Sequence, residues 1–283
     1  MKSTRRNILK GFAISSVAAA ASPVMAVPTL KGNIKQGACG GAFGRKMPFK
    51  KRCELAVKVG LKGMDFAGSS QWPTLKEYGL VCTMASPGTG LKKGLNRVEN
   101  HQFCLDALRK TIELASAAGY KNVICFSGNR DGISEEEGRK NCVIALKQVS
   151  GLAEKKNVAL CMELLNSKLN HPDYQCDRTH WGAEMCRQVG SPNVKLLYDI
   201  YHMQVQEGDI IATIRKHYDY IGHFHTAGVP GRHDLGESQE LYYPAIMRAI
   251  KELGYKGYVS HEYTPKIDAA ELALAKAVAI CDV

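Results

Sequence analysis

Aromatic residues make up only 7% of the 283-residue chain, and acids are in deficit, with 27 Asp and Glu against 38 Lys and Arg. At 45% hydrophobic and 23% charged residues, the composition excludes a disordered polymer, a collagen-like repeat and a polytopic membrane protein. The ten cysteines contain no C-x-x-C and no paired clusters, which argues against a structural zinc site. The basic groups Lys50-Lys51-Arg52, Lys92-Lys93 and Lys155-Lys156 lack interleaved aromatics, so they read as solvated helix ends and loops rather than a nucleic-acid groove. A nucleotide fingerprint is also missing. Gly37-Ala38-Cys39-Gly40-Gly41 fits neither G-x-G-x-x-G nor G-x-x-x-x-G-K-[ST], which counts against a doubly wound sheet.

What is present divides into two unequal parts. Residues 1–26 carry Lys2, Arg5, Arg6 and Lys10 with no acid, then an Ala/Ser/Val run from Phe12 to Ala21, then Val24-Met25-Ala26. That layout predicts a cleavable secretory signal, with an apolar run too short to span a bilayer. The segment Thr4-Arg5-Arg6-Asn7-Ile8-Leu9-Lys10 resembles a twin-arginine signal, which implies export to the periplasm of a bacterium and no membrane attachment after cleavage. With the leader's four cations set aside, the formal charge falls from +11 to +7, a mild excess that suits an anionic small substrate as well as any other partner. Cys39, Cys82, Cys125 and Cys161 sit in short apolar runs as small buried hydrophobes, while one or two surface disulfides stay open.

Residues 27–283 alternate short β-rich runs with segments of helical period. The runs span 34–41, 63–68, 81–87, 122–128, 158–166, 194–203, 221–228 and 257–265. Helical stretches are expected at 100–118, 135–156, 210–220, 241–253 and 269–280, the first with Phe103, Leu105, Leu108, Ile112 and Leu114 on one face. Ser134 ahead of three glutamates reads as a helix start, and Gly60, Gly119, Gly190 and Gly254 as left-handed helix stops. The phrases GLKGMDF, GYKNVICF and GYKGYVSHEY repeat one unit of helix stop, turn and buried strand. Eight such units in about 250 residues predict an α/β fold, a single parallel (β/α)8 barrel.

In such a barrel, chemistry sits where the strands end. The later runs end in Glu163-Leu164-Leu165-Asn166, Asp199-Ile200-Tyr201-His202, His223-Phe224-His225 and His261-Glu262-Tyr263. Strand alternation puts His223 and His225 on one face, with His225 nearer the rim and His223 a satisfied core histidine. If Glu262 faces the lumen, His261 and Tyr263 face the helices. Burying Glu163, Asp199, His225 and Glu262 together is costly unless a divalent cation satisfies them. Three carboxylates and one imidazole suit Mn²⁺, Mg²⁺ or Co²⁺ better than zinc.

These blocks, with Val229-Pro230-Gly231-Arg232-His233, resemble the hydroxypyruvate isomerase family of the xylose isomerase-like TIM-barrel superfamily, with ketose 3-epimerases close by. The resemblance covers nearly all of residues 27–283 and is densest over 158–265. It implies that Glu163 and Glu262 bind the metal and act as the acid/base pair, that Asp199 and His225 complete the ligand set, and that His202 and Arg232 contact substrate oxygens, with Asn166 of the same E-x-x-N phrase beside them. His225 matches the epimerase pattern, where bacterial hydroxypyruvate isomerases carry glutamine. The implied reaction is proton transfer through an enediolate, converting hydroxypyruvate to tartronate semialdehyde, with Arg232 pairing a substrate carboxylate. Return of the proton to the other face would make a ketose 3-epimerase, and elimination from the same enediolate a keto-sugar lyase. An abasic-site endonuclease shares the barrel but needs extra ligands on the early strands, where only Asp65 and cysteines are found. Homodimers are common among such barrels.

Overall fold

A computed structural model describes residues 29–44, 46–266 and 269–283. The leader expected at residues 1–26 lies outside the described residues. Eight strands run in chain order: β1 (Lys35–Ala38), β2 (Gly63–Asp65), β3 (Val81–Met84), β4 (Asn122–Cys125), β5 (Ala159–Glu163), β6 (Val194–Asp199), β7 (Ile221–Thr226) and β8 (Tyr258–His261). All pairings are parallel, and the order β3-β2-β1-β8-β7-β6-β5-β4 wraps the sheet round, with β1 meeting β8 along four residue pairs. The seam between β3 and β4 is held by the single bridge Ala85–Val123, where Ala85 N–H donates to the Asn122 carbonyl and Ile124 N–H to that of Ala85.

Helices fill the connections: α1 (Phe49–Lys58), α2 (Trp72–Glu77), α3 (His101–Ala118), α4 (Glu135–Lys156), α5 (Thr179–Val189), α6 (Ile200–Gln206), α7 (Ile210–His217), α8 (Tyr243–Glu252) and α9 (Ala270–Cys281). Their ends follow local chemistry. Ser134 Oγ accepts from Glu137 N–H at the start of α4, where Glu135, Glu136 and Glu137 complement the positive end of the helix dipole. Gly60, Gly119, Gly190 and Gly254 all take positive φ after helices, as the sequence led one to expect. No described helix is long and apolar enough to cross a membrane.

Strand residues alternate between two environments. Outward-facing Met64, Leu160, Tyr198, Phe224 and Val259 join the main core beneath the helices. Burial of side chains such as Met64, Leu160 or Phe224 contributes roughly 1.5–3 kcal/mol each. Inward-facing residues fill the lumen, where Met84, Ile124, Cys161 and Leu197 form a separate apolar cluster. Opposite them lies a polar group of Asp65, Thr83, His223 and Ser260, all buried. Gly37 makes room for it, since a Cβ there would lie 2.6 Å from Ser260 Oγ. At Gly63 a Cβ would lie 2.6 Å from Thr83 Cγ2.

Two expectations need correction, and one open question closes. The β run expected over 194–203 ends at Asp199, and Ile200–Gln206 is helical because the Asp199 carboxylate caps it by accepting from His202 N–H. On α3 the buried face is Cys104, Leu105, Leu108, Thr111, Ile112 and Ala115, whereas Phe103 is 55% and Leu114 41% exposed. Neither shares the angular position of the buried residues. All ten cysteines are free and buried, so the disulfides left open by the sequence are not formed.

Candidate active site

The rim of the barrel gathers side chains from four strands. Glu163 ends β5, Asp199 ends β6, His225 lies one residue before the end of β7, and Glu262 follows β8. Alternation aims all four inward, and one ligand atom from each lies within 4.8 Å of the others. The neighbours flanking Glu262 point away: His261 bonds Thr226 and Gln36 among the helices, and Tyr263 is buried.

The His225 ring divides its two nitrogens. Nε2–H donates to Asp65 Oδ2 at 2.9 Å. Nδ1 faces Glu262 Oε2 at 2.8 Å, Glu163 Oε1 at 3.5 Å and Asp199 Oδ2 at 4.0 Å. Despite the short approach to Glu262, Nδ1 has no partner in hydrogen-bond geometry. A buried imidazole nitrogen surrounded by three carboxylates and bonded to none suits a shared cation. The donor set fits one, with hard oxygen ligands and a single imidazole.

Arg232 already supplies one positive charge. Its Nη2 lies 2.7 Å from Glu262 Oε2 and 3.3 Å from Asp199 Oδ2, its guanidinium stacks over the Tyr201 ring, and its buried Nε has no partner. The side chain leaves a backbone with φ of +57°, in the loop that follows Val229-Pro230.

These neighbours separate the two glutamates. Burial drives the Glu163 carboxyl up to about 7 against the opposing pull of His225. Burial also acts to raise Glu262, but His225 and Arg232 outweigh it and bring it down to about 2. Burial lifts Asp199 above the ordinary carboxylate range, partly offset by Arg232. Two carboxyls whose protonation is pushed apart in one site are the arrangement that acid/base catalysis uses.

The remaining expected residues lie on one side of the cluster. His202, in α6, accepts from Asn166 N–H and Asn166 Nδ2 at its Nδ1, which leaves Nε2 as the protonated nitrogen. That Nε2 is buried without a partner, 3.8 Å from Asp199 Oδ2. Burial and the nearby Arg232 hold His202 well below the usual histidine range, in the neutral form. Asn166 itself is fully occupied within the protein, since its Oδ1 accepts from Leu169 and Asn170 N–H. It orients His202 rather than facing open space.

A cavity of about 160 Å³ opens onto these groups, lined by Glu163, Glu262, Arg232 and His171 on the polar side and by Phe66, Leu91, Phe126 and Leu165 on the other. Asp65, Phe66 and His171 were not assigned to the site from sequence. Asp65 carried the one usable signal, an acid at the end of the buried strand within GLKGMDF.

A family profile described as xylose isomerase-like TIM barrel matches residues 73–279. The chain belongs to that family. Among other members, a Mus musculus protein provisionally named hydroxypyruvate isomerase is 32% identical over 241 residues, covering 78% of this chain and 86% of its own. A 2-oxo-tetronate isomerase of Cupriavidus necator is 36% identical over 163 residues, covering 56% of this chain and 60% of its own. Within the xylose isomerase-like TIM barrels these relatives are isomerases, and this chain is an isomerase with them. A solved structure from Brucella melitensis, described as an AP endonuclease of family 2, superposes with a TM-score of 0.78 at 24% identity, over 86% of this chain and 98% of that one. At that identity it shows the fold alone.

Proposed function

We propose that this protein is a divalent-metal-dependent isomerase that moves a proton between adjacent carbons of a short hydroxy-2-oxo acid, hydroxypyruvate being the simplest. The observation that carries this reading is the convergence of Glu163, Asp199, Glu262 and the unpartnered Nδ1 of His225 on one point beside a small cavity. Those four residues would hold the cation, Mn²⁺, Mg²⁺ or Co²⁺ by donor type. A bound divalent cation supplies Lewis-acid polarisation of the substrate carbonyl.

The chain's own groups do the rest. Arg232 seats the substrate carboxylate, using the edge of the guanidinium not committed to Glu262 and Asp199. The neutral His202 offers its Nε2–H to a substrate oxygen. Glu163 takes the proton from the hydroxyl-bearing carbon and returns it to the neighbouring one, while the hydroxyl proton passes to the former carbonyl oxygen, so carbonyl and hydroxyl exchange places. Glu262 stays ionised beside Arg232 and His225. Phe66, Leu91, Phe126 and Leu165 keep bulk water from the enediolate. The basic leader supports export by the twin-arginine route, so that the working enzyme is residues 27–283 in the periplasm of a bacterium.

The test is to load the protein with Mn²⁺ and follow hydroxypyruvate, a 2-oxo-tetronate and a set of ketoses in D₂O by NMR. Deuterium uptake at the carbon beside the carbonyl, with isomer formation, is expected for the oxo acids. Glu163→Gln should lower that exchange by about 10²–10⁴-fold with the fold intact. Full activity in this variant would overturn the reading, ketose epimers would point to a 3-epimerase, and exchange accompanied by elimination would point to a lyase.

A further inference from the structure

We propose that Asp65 is a positioning residue for the cation site, fixing His225 so that its Nδ1, rather than its Nε2, faces Glu163, Asp199 and Glu262. This rests on the metal-dependent reading above and extends it to a residue on the opposite side of the barrel. Asp65 comes from β2, its side chain is fully buried, and its two carboxylate oxygens have separate tasks. Oδ2 accepts from His225 Nε2–H and His223 Nε2–H, each at 2.9 Å. Oδ1 accepts from the Ser260 hydroxyl at 2.6 Å and from the Thr83 hydroxyl. Donors from β3, β7 and β8 thus hold the carboxylate at both ends and prevent it from turning.

The consequence follows from imidazole chemistry. The bond made by one ring nitrogen decides which nitrogen offers a lone pair, and a carboxylate behind a metal-facing histidine fixes both tautomer and ring angle. Cys39 Sγ, Asp65 and His225 also lie close enough together to suggest a second metal cluster. The bond between His225 Nε2 and Asp65 Oδ2 already uses both atoms, and Sγ stands 4.0 Å from Nε2, so this group is support beneath the site.

The experiment titrates metal-free protein with Mn²⁺, reading free Mn²⁺ by electron paramagnetic resonance, with thermal unfolding in parallel. Asp65→Ala should weaken Mn²⁺ binding by about 10–100-fold. Asp65→Asn retains a carbonyl oxygen for both histidines and an amide that can donate to the two hydroxyl oxygens. It should recover affinity to within about tenfold of the parent. A positioning role requires that split, so unchanged affinity in Asp65→Ala, or equal loss in both variants, overturns the proposal. Should Asp65→Ala fail to fold, the double variant Thr83→Val with Ser260→Ala decides. It frees Oδ1, and about tenfold weaker binding supports the role whereas unchanged binding overturns it. Parent protein that binds Mn²⁺ but isomerises nothing overturns the functional reading alone, leaving Asp65 to the Mn²⁺ comparison. Parent protein that binds no divalent ion overturns both.

Discussion

The two halves of the barrel lumen obey the same strand alternation yet carry opposite chemistry. On the β4–β6 side, Ile124, Cys161 and Leu197 pack with Met84 into a dry plug. On the β1–β3 and β7–β8 side, Thr83, His223 and Ser260 surround Asp65. The apolar half needs only volume and rotamer fit, so it resembles any protein core. The polar half is worthwhile only when every donor finds its acceptor, because an unpaired buried charge is expensive. Both lie below the rim, but only the polar half has a bond reaching the cluster of Glu163, Asp199, His225 and Glu262. One half therefore supports the fold alone, and the other also carries the contact to the candidate site.

The largest expected effect comes from making the dry half resemble the wet one. Leu197→Asp places a charge where no donor waits, and should lower unfolding free energy by roughly 3–5 kcal/mol in a urea titration. A loss within experimental error would mean that the halves do not differ as described. Leu197→Ala leaves a void in the same place and should cost about 2–5 kcal/mol, with Mn²⁺ affinity unaltered. Weaker Mn²⁺ binding in that variant would show the dry half to be linked to the site after all. Ser260→Ala removes one donor to Asp65 while Thr83 remains, and should cost about 1.5 kcal/mol. Its distinguishing mark is a several-fold fall in Mn²⁺ affinity despite the smaller stability loss, the reverse of the Leu197→Ala pattern.

Much of this molecule could be read from its sequence, because the barrel repeats a local unit. Gly60, Gly119, Gly190 and Gly254 stop helices through their own backbone freedom, and Ser134 starts one through its own hydroxyl. Glu163, Asp199, His225 and Glu262 were visible because each stands at or near the end of an apolar run, and neighbouring parallel strands bring those ends together. Asp65 was seen as an acid but not as part of the site. Its partners His223, His225 and Ser260 stand 158, 160 and 195 residues away, so no local pattern links them. The segment 200–203 misled because Ile200 and Tyr201 favour strands, while the deciding event was a cap by the Asp199 side chain. On α3 the polar and small residues Cys104, Thr111 and Ala115 are buried in preference to Phe103 and Leu114, since angular position outranks hydrophobicity once the helix docks.

Gly37 bears no functional group and touches no substrate, yet the space beside its α-carbon is what the Ser260 hydroxyl of the Asp65 cluster occupies. In a selection for folding alone, a small methyl-bearing residue there with a compensating change in Ser260 would be an acceptable replacement. In a selection for turnover, that same compensation would remove a hydroxyl that steadies Asp65, and Gly37 would be as intolerant as the carboxylates at the rim. The two kinds of selection would therefore disagree most at a residue that has no chemistry of its own.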